Sequence, residues 1–231
     1  LGLFLHRTPK VMAALSRVCA RGVAGGTPRD AGEEAVARRD AVRGVVEVAL
    51  LPALACMRAN VGMASEVWAV LGSLPYEERY QTYAALKQAC QPAAACAPLV
   101  VAWKGAQNDT KRVMRRLSKD NTKQFGRQLA KAAHALPVSV FDAIIGQIEA
   151  YENLIVPVVE MLRWLTPLSF DCLSYVLLEH LASGRSRLKE DGLNVSHWLQ
   201  SLAAFCAALY RRHLGIELVG LLTYLANALK S

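Results

Sequence analysis

Apolar residues recur at helical spacing along most of the chain, and no segment alternates apolar and polar residues as a half-buried strand does. After Pro137, for example, apolar side chains recur so that they share one face of a helix. They are Val140, Phe141, Ile144, Ile145 and Ile148. Similar patterns predict about eight to ten helices joined by turns of roughly two to eight residues. Short connections favour antiparallel neighbours, so we predict an all-α fold: an α-solenoid of antiparallel helix pairs, irregular because no repeat of fixed period is present.

Residues 1–44 show the weakest pattern, because no strong apolar stripe runs through them. The pair Thr27-Pro28 suits a helix start, since a capping oxygen is followed by a proline in the first turn. We therefore divide the chain into a poorly ordered or weakly helical N-terminal segment, 1–44, and a helical scaffold domain, 45–231. Because the first residue is Leu1 rather than Met, we expect the chain to be a fragment of a longer protein.

The segment 99–136 is predicted to form two amphipathic helices, each with one apolar face and one cationic face. The apolar face of the first includes Trp103, and that of the second includes Phe125. In the joint between them, the side-chain oxygen of Asn121 or Thr122 can cap the second helix. We therefore predict a helical hairpin with an apolar inner side and a cationic outer side. The cationic side consists of Lys104, Lys111, Arg112, Arg115, Arg116, Lys119, Lys123, Arg127 and Lys131.

Most of the chain's net charge belongs to this cationic side. Between Lys104 and Lys131, nine basic and two acidic residues give a charge of +7, whereas the whole chain carries +8. A confined cationic face suggests an anionic partner, which is either nucleic acid or an acidic protein surface. The alternative is a solvated helix face, since surface helices commonly carry charge on their wet side. Trp103 and Phe125 fall on the inner faces, so we expect phosphate attraction rather than sequence-specific reading of RNA bases.

The sequence contains no recognised motif of a catalytic, metal or cofactor site. Its five histidines are scattered, and the H-E-x-x-H, G-x-S-x-G and phosphate-loop patterns are missing. Cys90 and Cys96 do not match zinc-site spacing, so we predict six free thiols in a reducing compartment. The longest apolar runs, 45–57 and 214–229, are shorter than the roughly 20 residues of a membrane span. We therefore expect a chain that is not an enzyme and has no catalytic residues, metal, cofactor, small-molecule substrate or membrane contact.

Six segments resemble the N-terminal helical region of the THO complex subunit 2 family, in both order and spacing. These segments are Leu50–Met57, Leu74–Tyr83, Thr110–Pro137, Phe141–Leu162, Ser196–His213 and Glu217–Ser231. The resemblance covers about 45–231, and residues 1–44 match nothing in it. One departure is Leu86-Lys87, which stands where the family usually has an aromatic residue before the lysine.

The resemblance implies a nuclear, all-helical scaffold subunit without catalysis, in the THO part of the transcription–export (TREX) complex. The implied role is co-transcriptional assembly of messenger ribonucleoprotein and nuclear export of mRNA. The implied partners are the other THO complex subunits, a DEAD-box RNA helicase and nascent messenger ribonucleoprotein. An RNA-binding helical module that uses the basic face Lys104–Lys131 is the alternative function. Because the family protein is much longer, we expect Ser231 to be a truncation point.

Overall fold

The computed structural model describes residues 2–24, 32–93, 96–190 and 192–230, and it folds them mostly as helix. Within these ranges there is no strand; Leu188 and Val195 form an isolated antiparallel bridge. The all-α prediction is therefore confirmed, whereas the solenoid arrangement stays a prediction. The helix start predicted at Thr27-Pro28 lies outside the described residues.

The α-helices vary from about one turn to five turns in length. They are α1 (Pro9–Ala24), α2 (Glu33–Val45), α3 (Leu51–Ala55), α4 (Val61–Leu71), α5 (Tyr76–Ala89), α6 (Ala97–Met114), α7 (Thr122–Ala133), α8 (Pro137–Ala150), α9 (Ile155–Met161), α10 (Pro167–Leu181), α11 (His197–Arg212) and α12 (Val219–Ala228). Short 3₁₀ segments lie at Gly2–Arg7, Lys119–Asn121, Glu152–Leu154 and Leu162–Trp164, and a π-helical turn lies at Val46–Leu50.

The chain divides into two compact units. The first contains Leu1–Gly105, His134–Leu136 and Thr166–Leu168, and the second contains Ala106–Ala133, Pro137–Leu165 and Ser169–Ser231. The helix α6 begins in the first unit and ends in the second. In the segment 1–44, where the sequence pattern is weakest, the structure contains α1 and most of α2. The predicted division after residue 44 stays a prediction.

The first unit is built around α1 and α4, which pack closely against each other. Met12 on α1 and Val67 on α4 are fully buried, and an ion pair between Arg17 and Glu66 joins the two helices at their exposed edge. Pro52 lies in the first turn of α3, directly after the π-helical turn. Because proline has no N–H to donate, Pro52 cannot make the regular helical hydrogen bond, and the π-helical turn lies where that bond is missing while the backbone stays helical.

The core of the second unit lies between α8 and the helices that pack on it. The predicted apolar face of α8 is confirmed, since the side chains of Val140, Phe141, Ile144, Ile145 and Ile148 are all fully buried. The helix α11 packs against α8 and α9. It contributes Leu202, Phe205 and Leu209, which are also fully buried. These helices therefore provide a rigid support for the surface residues around them.

The loop between α10 and α11 is held at both of its ends. The guanidinium of Arg185 donates to both carboxylate oxygens of Glu149 at 2.9 and 2.6 Å and lies 4.1 Å from the centre of the Trp198 ring. The indole Nε1 of Trp198 donates to the carbonyl oxygen of Ser186 at 3.0 Å, and the Ser196 hydroxyl donates to the same oxygen at 2.9 Å. The loop is thereby tied to α8 and to the start of α11.

Candidate nucleic-acid or acidic-partner surface

All nine predicted basic residues are exposed in the structure. Lys104 lies on the part of α6 that belongs to the first unit, and the other eight residues lie in the second unit. Lys111 and Arg112 lie in the last turn of α6, Arg115 and Arg116 lie in the turn that follows, and Lys119 lies in a 3₁₀ segment. The remaining three, Lys123, Arg127 and Lys131, are on α7. The side chains therefore point to solvent as the amphipathic pattern predicts.

The joint between α6 and α7 is closed by a capping box. The backbone N–H of Ser118 donates to Oδ1 of Asn121 at 2.9 Å, and the Ser118 side chain accepts from the Asn121 backbone in return. The Asn121 side-chain nitrogen also donates to the carbonyl oxygen of Arg116 at 2.8 Å. The sequence predicts that Asn121 or Thr122 caps α7. For Asn121 this is corrected, because its oxygen binds the chain before it, where a 3₁₀ turn precedes α7; for Thr122 it stays a prediction.

The backbone of α7 lies closest to α9 and α8, and the predicted hairpin of α6 and α7 stays a prediction. Gly126 makes this approach possible. A Cβ built at Gly126 would lie 2.8 Å from Cδ1 of Trp164 and 3.2 Å from the carbonyl oxygen of Met161. Only glycine, which has no side chain, accommodates neighbours at such distances. The guanidinium of the adjacent Arg127 lies 4.8 Å from the centre of the Trp164 ring.

The positive charge of these residues is largely uncompensated by the chain itself. Within the described residues, the one ion pair made by the nine joins Arg112 to Asp109 at 3.3 Å. Both side chains are more than 60% exposed, at 68% and 63%, and such a pair contributes little because water screens it. The segment therefore keeps a positive potential that can attract an anion.

A groove in the second unit adds uncharged side chains to this basic segment. It has a volume of about 490 Å³ and opens between the end of α6 and the end of α8. Gln107 on α6 donates to Asp142 on α8 at 3.0 Å, which ties the two walls together. The groove is lined by Lys111, Met114, Arg115, Leu117, Gln147, Tyr151, Asn153 and Leu154.

Sequence reasoning missed Tyr151 as a neighbour of the basic residues. The residue follows Ile148 at helical spacing, which favours a buried position, but α8 ends at Ala150. The backbone of Tyr151 then turns to an extended conformation, and its side chain is 57% exposed. Only the packing of α6 beside α8 brings this ring to the groove, so no local signal in the sequence could have found it.

A second cluster of charged groups joins side chains of α8 to a histidine of α10. Nδ1 of His180 lies 2.9 Å from Oε1 of Glu149, and Nε2 lies 3.6 Å from Oδ1 of Asp142. Burial acts to lower the pKa of His180, but hydrogen bonds and charges from both carboxylates outweigh it and raise the pKa to about 9. Burial acts to raise the pKa of Glu149, but His180 and Arg185 outweigh it and lower the pKa to about 2. The cluster is thus an ion-pair network that holds α8, α10 and the following loop.

The cysteines are free thiols, and the structure groups three of them in the first unit. Burial, with added repulsion from Cys56 and Cys96, raises the pKa of Cys90 to about 12. Burial and the charge of Cys96 also raise the pKa of Cys56. A thiol with a raised pKa is protonated at neutral pH and is a poor nucleophile. Among the residues that the structure describes, no three His, Cys, Asp or Glu side chains are placed to hold a metal ion, and no helix has the length and apolar character to cross a membrane.

Comparison with known proteins decides the family. A family model described as "THO complex subunit 2 N-terminus" matches residues 1–127, which is more than half of the chain. The chain belongs to the THO complex subunit 2 family. A second family model, described as "Transcription- and export-related complex subunit", matches residues 129–203. The resemblance found in the sequence is therefore confirmed, and the first model extends it to residues 1–44.

Curated members of the THO complex subunit 2 family align with most of this chain. The THO complex subunit 2 of Arabidopsis thaliana is 46% identical over 183 residues, which cover 78% of this chain and 10% of the relative. The Homo sapiens protein of the same name is 42% identical over 189 residues, covering 81% and 12%. The Saccharomyces cerevisiae protein is 26% identical over 229 residues, covering 99% and 14%. The chain thus spans about a tenth to a seventh of the length of these relatives.

Proposed function

We propose that this chain is part of a scaffold subunit of the THO part of the TREX complex. In this role it acts in the nucleus, in co-transcriptional assembly of messenger ribonucleoprotein and export of mRNA. Membership of the THO complex subunit 2 family supports the proposal, and so does a structure made of packed helices. The proposed partners are the other THO complex subunits, a DEAD-box RNA helicase and messenger ribonucleoprotein.

The observation that carries the scaffold role is a row of exposed leucines on and beside α12. Leu218, Leu222 and Leu225 are 43%, 58% and 46% exposed, and their spacing of three or four residues places them on one face of the helix. Leu214 and Leu229, before and after α12, are each 88% exposed. Apolar surface of this kind is stabilised when a partner covers it. A helix with its own apolar stripe is the partner that fits such a row.

Co-purification with purified THO complex subunits tests this role. We expect Leu222→Glu to reduce capture of the partner subunits at least tenfold, because a carboxylate would be buried without a partner. The stability of the chain should change by less than about 0.5 kcal/mol, since the side chain is exposed. Val101→Glu is the matched control, because Val101 is 70% exposed and lies on α6. Capture of no subunit by the unchanged chain, or equal capture by Leu222→Glu, would contradict the proposal.

The helicase and the ribonucleoprotein enter the same experiment as separate additions. We expect a purified DEAD-box helicase and an mRNA fragment to join the captured assembly when the THO subunits are present. If neither joins an assembly that contains all THO subunits, the proposed partnership with the helicase and the ribonucleoprotein is wrong. The scaffold role itself depends only on the subunits.

A second candidate function is direct binding of RNA through the basic face Lys104–Lys131. The observation that favours it is the exposure of all nine cationic side chains, of which Arg112 alone forms an ion pair within the described residues. Phosphate groups release counterions when they bind such a face, so affinity falls as salt rises. An acidic protein surface is the competing partner, and a salt titration with charge-reversed variants distinguishes the two.

A further inference from the structure

We propose that the groove between the ends of α6 and α8 binds a nucleotide of a single-stranded nucleic acid, with the base stacked on Tyr151 and the phosphate held by Lys111 and Arg115. Stacking of bases on a ring goes beyond the attraction of phosphates that the basic residues alone provide. This proposal rests on the second candidate function. It names the residues whose contacts would make a nucleotide with a base bind more tightly than an abasic one.

The backbone around Tyr151 is fixed, while its ring is free to meet a ligand. The Tyr151 N–H donates to the carbonyl oxygen of Gln147 at 2.9 Å, and the Tyr151 carbonyl oxygen accepts from the N–H of Leu154 at 3.1 Å. These bonds hold the corner between α8 and the 3₁₀ segment that follows. The side chain nevertheless remains 57% exposed. An exposed aromatic ring on a fixed backbone is the arrangement that proteins use to stack bases of single strands.

Lys111 and Arg115 supply positive charge on the opposite wall. Lys111 lies in the last turn of α6 and Arg115 directly after the helix. The N–H of Arg115 donates to the carbonyl oxygen of Lys111 at 3.1 Å, so the two side chains, four residues apart, leave the same face of the chain. Both are exposed, and neither forms an ion pair within the part of the chain that the structure describes. No described residue that lines the groove is acidic. A phosphate that enters the groove therefore meets two available cations and no opposing carboxylate in the lining.

The remaining lining suits a base better than an acidic peptide. Gln147 and Asn153 carry amides that both donate and accept hydrogen bonds, as the edges of bases require. Met114 is buried, and Leu117 and Leu154 are half-buried, so they add apolar surface to the lining of the groove. The volume of about 490 Å³ falls among ordinary small-ligand sites. An acidic peptide would use the two cations but would gain little from an aromatic ring and two amides.

The test measures binding of the full chain to short fluorescent oligonucleotides by anisotropy. We expect oligouridine RNA to bind more tightly than an abasic strand of equal length and charge, and Tyr151→Ala to remove that difference. The loss for oligouridine should be about five- to hundredfold, the range of one stacked base, with binding of the abasic strand unchanged. Tyr151→Phe should bind as the unchanged chain does, because a phenyl ring stacks as well as a phenol. A DNA strand of the same sequence shows whether the groove selects RNA or accepts both single strands.

Phe4→Ala is the matched aromatic control, because Phe4 is 56% exposed and lies in the first unit. It should leave binding unchanged. Equal binding of oligouridine and the abasic strand by the unchanged chain, or unchanged binding by Tyr151→Ala, would overturn the groove proposal. If charge reversal of the basic residues still weakens RNA binding in that case, the basic face binds RNA and the groove proposal alone is wrong. A polyglutamate peptide that displaces the RNA equally from the unchanged chain and from Tyr151→Ala would show an acidic-protein site instead.

Discussion

The imidazole of His180 on α10 and the carboxylate of Glu149 on α8 lie 2.9 Å apart and bind the two helices together. Their pKa values move in opposite directions, since each charge favours the other. Both side chains are mostly shielded, at 18% and 11% exposure, so water screens the pair less than a surface ion pair. This pair therefore makes the stability of the protein depend on pH.

The first prediction concerns that pH dependence. Since the pKa of His180 rises from 6.5 to about 9, its contribution is fully present below about pH 6.5 and is lost as the pH rises through about 9. The contribution of Glu149, whose pKa falls from 4.5 to about 2, is present above about pH 4.5 and is lost as the pH falls through about 2. We expect the free energy of unfolding to fall by about 1–3 kcal/mol between pH 6.5 and 9.5. Urea unfolding across this range measures it.

His180→Gln should remove most of this slope and lower the stability at pH 6.5. His6→Gln is the control, because the ring of His6 hydrogen-bonds to the carbonyl oxygen of Leu3 rather than to a carboxylate. A slope that is the same in His180→Gln and in the unchanged chain would show that other groups cause the pH dependence.

The second prediction concerns the close approach at Gly126. Gly126→Ala adds a methyl group 2.8 Å from Cδ1 of Trp164 and 3.3 Å from Cα of Met161. Forcing α7 away from Met161 and Trp164 costs about 1–3 kcal/mol. This cost outweighs the gain of up to about 1 kcal/mol that alanine gives as a better helix former than glycine. Thermal unfolding should show a lower midpoint. Gly146→Ala is the matched control on α8, where a Cβ would meet nothing within 4 Å, and it should be neutral or stabilising.

The third prediction concerns the joint that positions the basic residues. Asn121→Ala removes the acceptor of the Ser118 N–H and the donor to the Arg116 carbonyl oxygen. We expect a loss of about 1 kcal/mol and hydrogen exchange about fivefold faster at the Ser118 amide. Mass spectrometry of peptides from this joint measures the exchange. Asn108→Ala, an exposed substitution on α6, should change neither quantity; an unchanged rate in Asn121→Ala would mean that the capping box does not hold the joint.

The fourth prediction tests the basic face. Reversing Arg112, Arg115 and Arg116 to Glu should weaken RNA binding and reduce the slope of log affinity against log salt by up to about 2, as expected for three lost phosphate contacts on a single strand. Anisotropy at several salt concentrations measures both effects. Reversal of Arg211, Arg212 and Lys230 changes the net charge equally at other exposed positions, and it should retain most of the slope. An unchanged slope in the first variant would reject direct phosphate contact.

The sequence predicts the helices and their buried faces better than it predicts which helices pack against each other. The buried face of α8 follows from the spacing of five apolar residues, because a helix sets their directions without help from the rest of the chain. The exposure of Lys111 or Arg127 follows from the same rule. The position of Tyr151 beside Lys111 does not, because it depends on where α8 ends and on which helix packs beside it. The contact of Gly126 with Trp164 likewise joins residues that no local pattern relates.

The family membership could also be predicted from the sequence, because six ordered segments carry it, but the charged network around Glu149 could not. His180 lies on a helix where one histidine is ordinarily a core or rim residue, and Glu149 is 31 positions away. Their pairing needs α8 and α10 to lie within hydrogen-bonding distance. Long-range pairs of this kind are tertiary information, and only the folded chain contains it.

The tied loop between α10 and α11 limits where the protein can be labelled. A tag or fluorophore inserted near Ser186 would break the hydrogen bonds from Ser196 and Trp198 and pull Arg185 away from Glu149. Although the loop is rich in charge, it would tolerate such an insertion poorly, and the damage would spread to α8. Chemical probes for assembly studies are better attached at positions such as Asn108, whose side chain points to solvent from the middle of a helix.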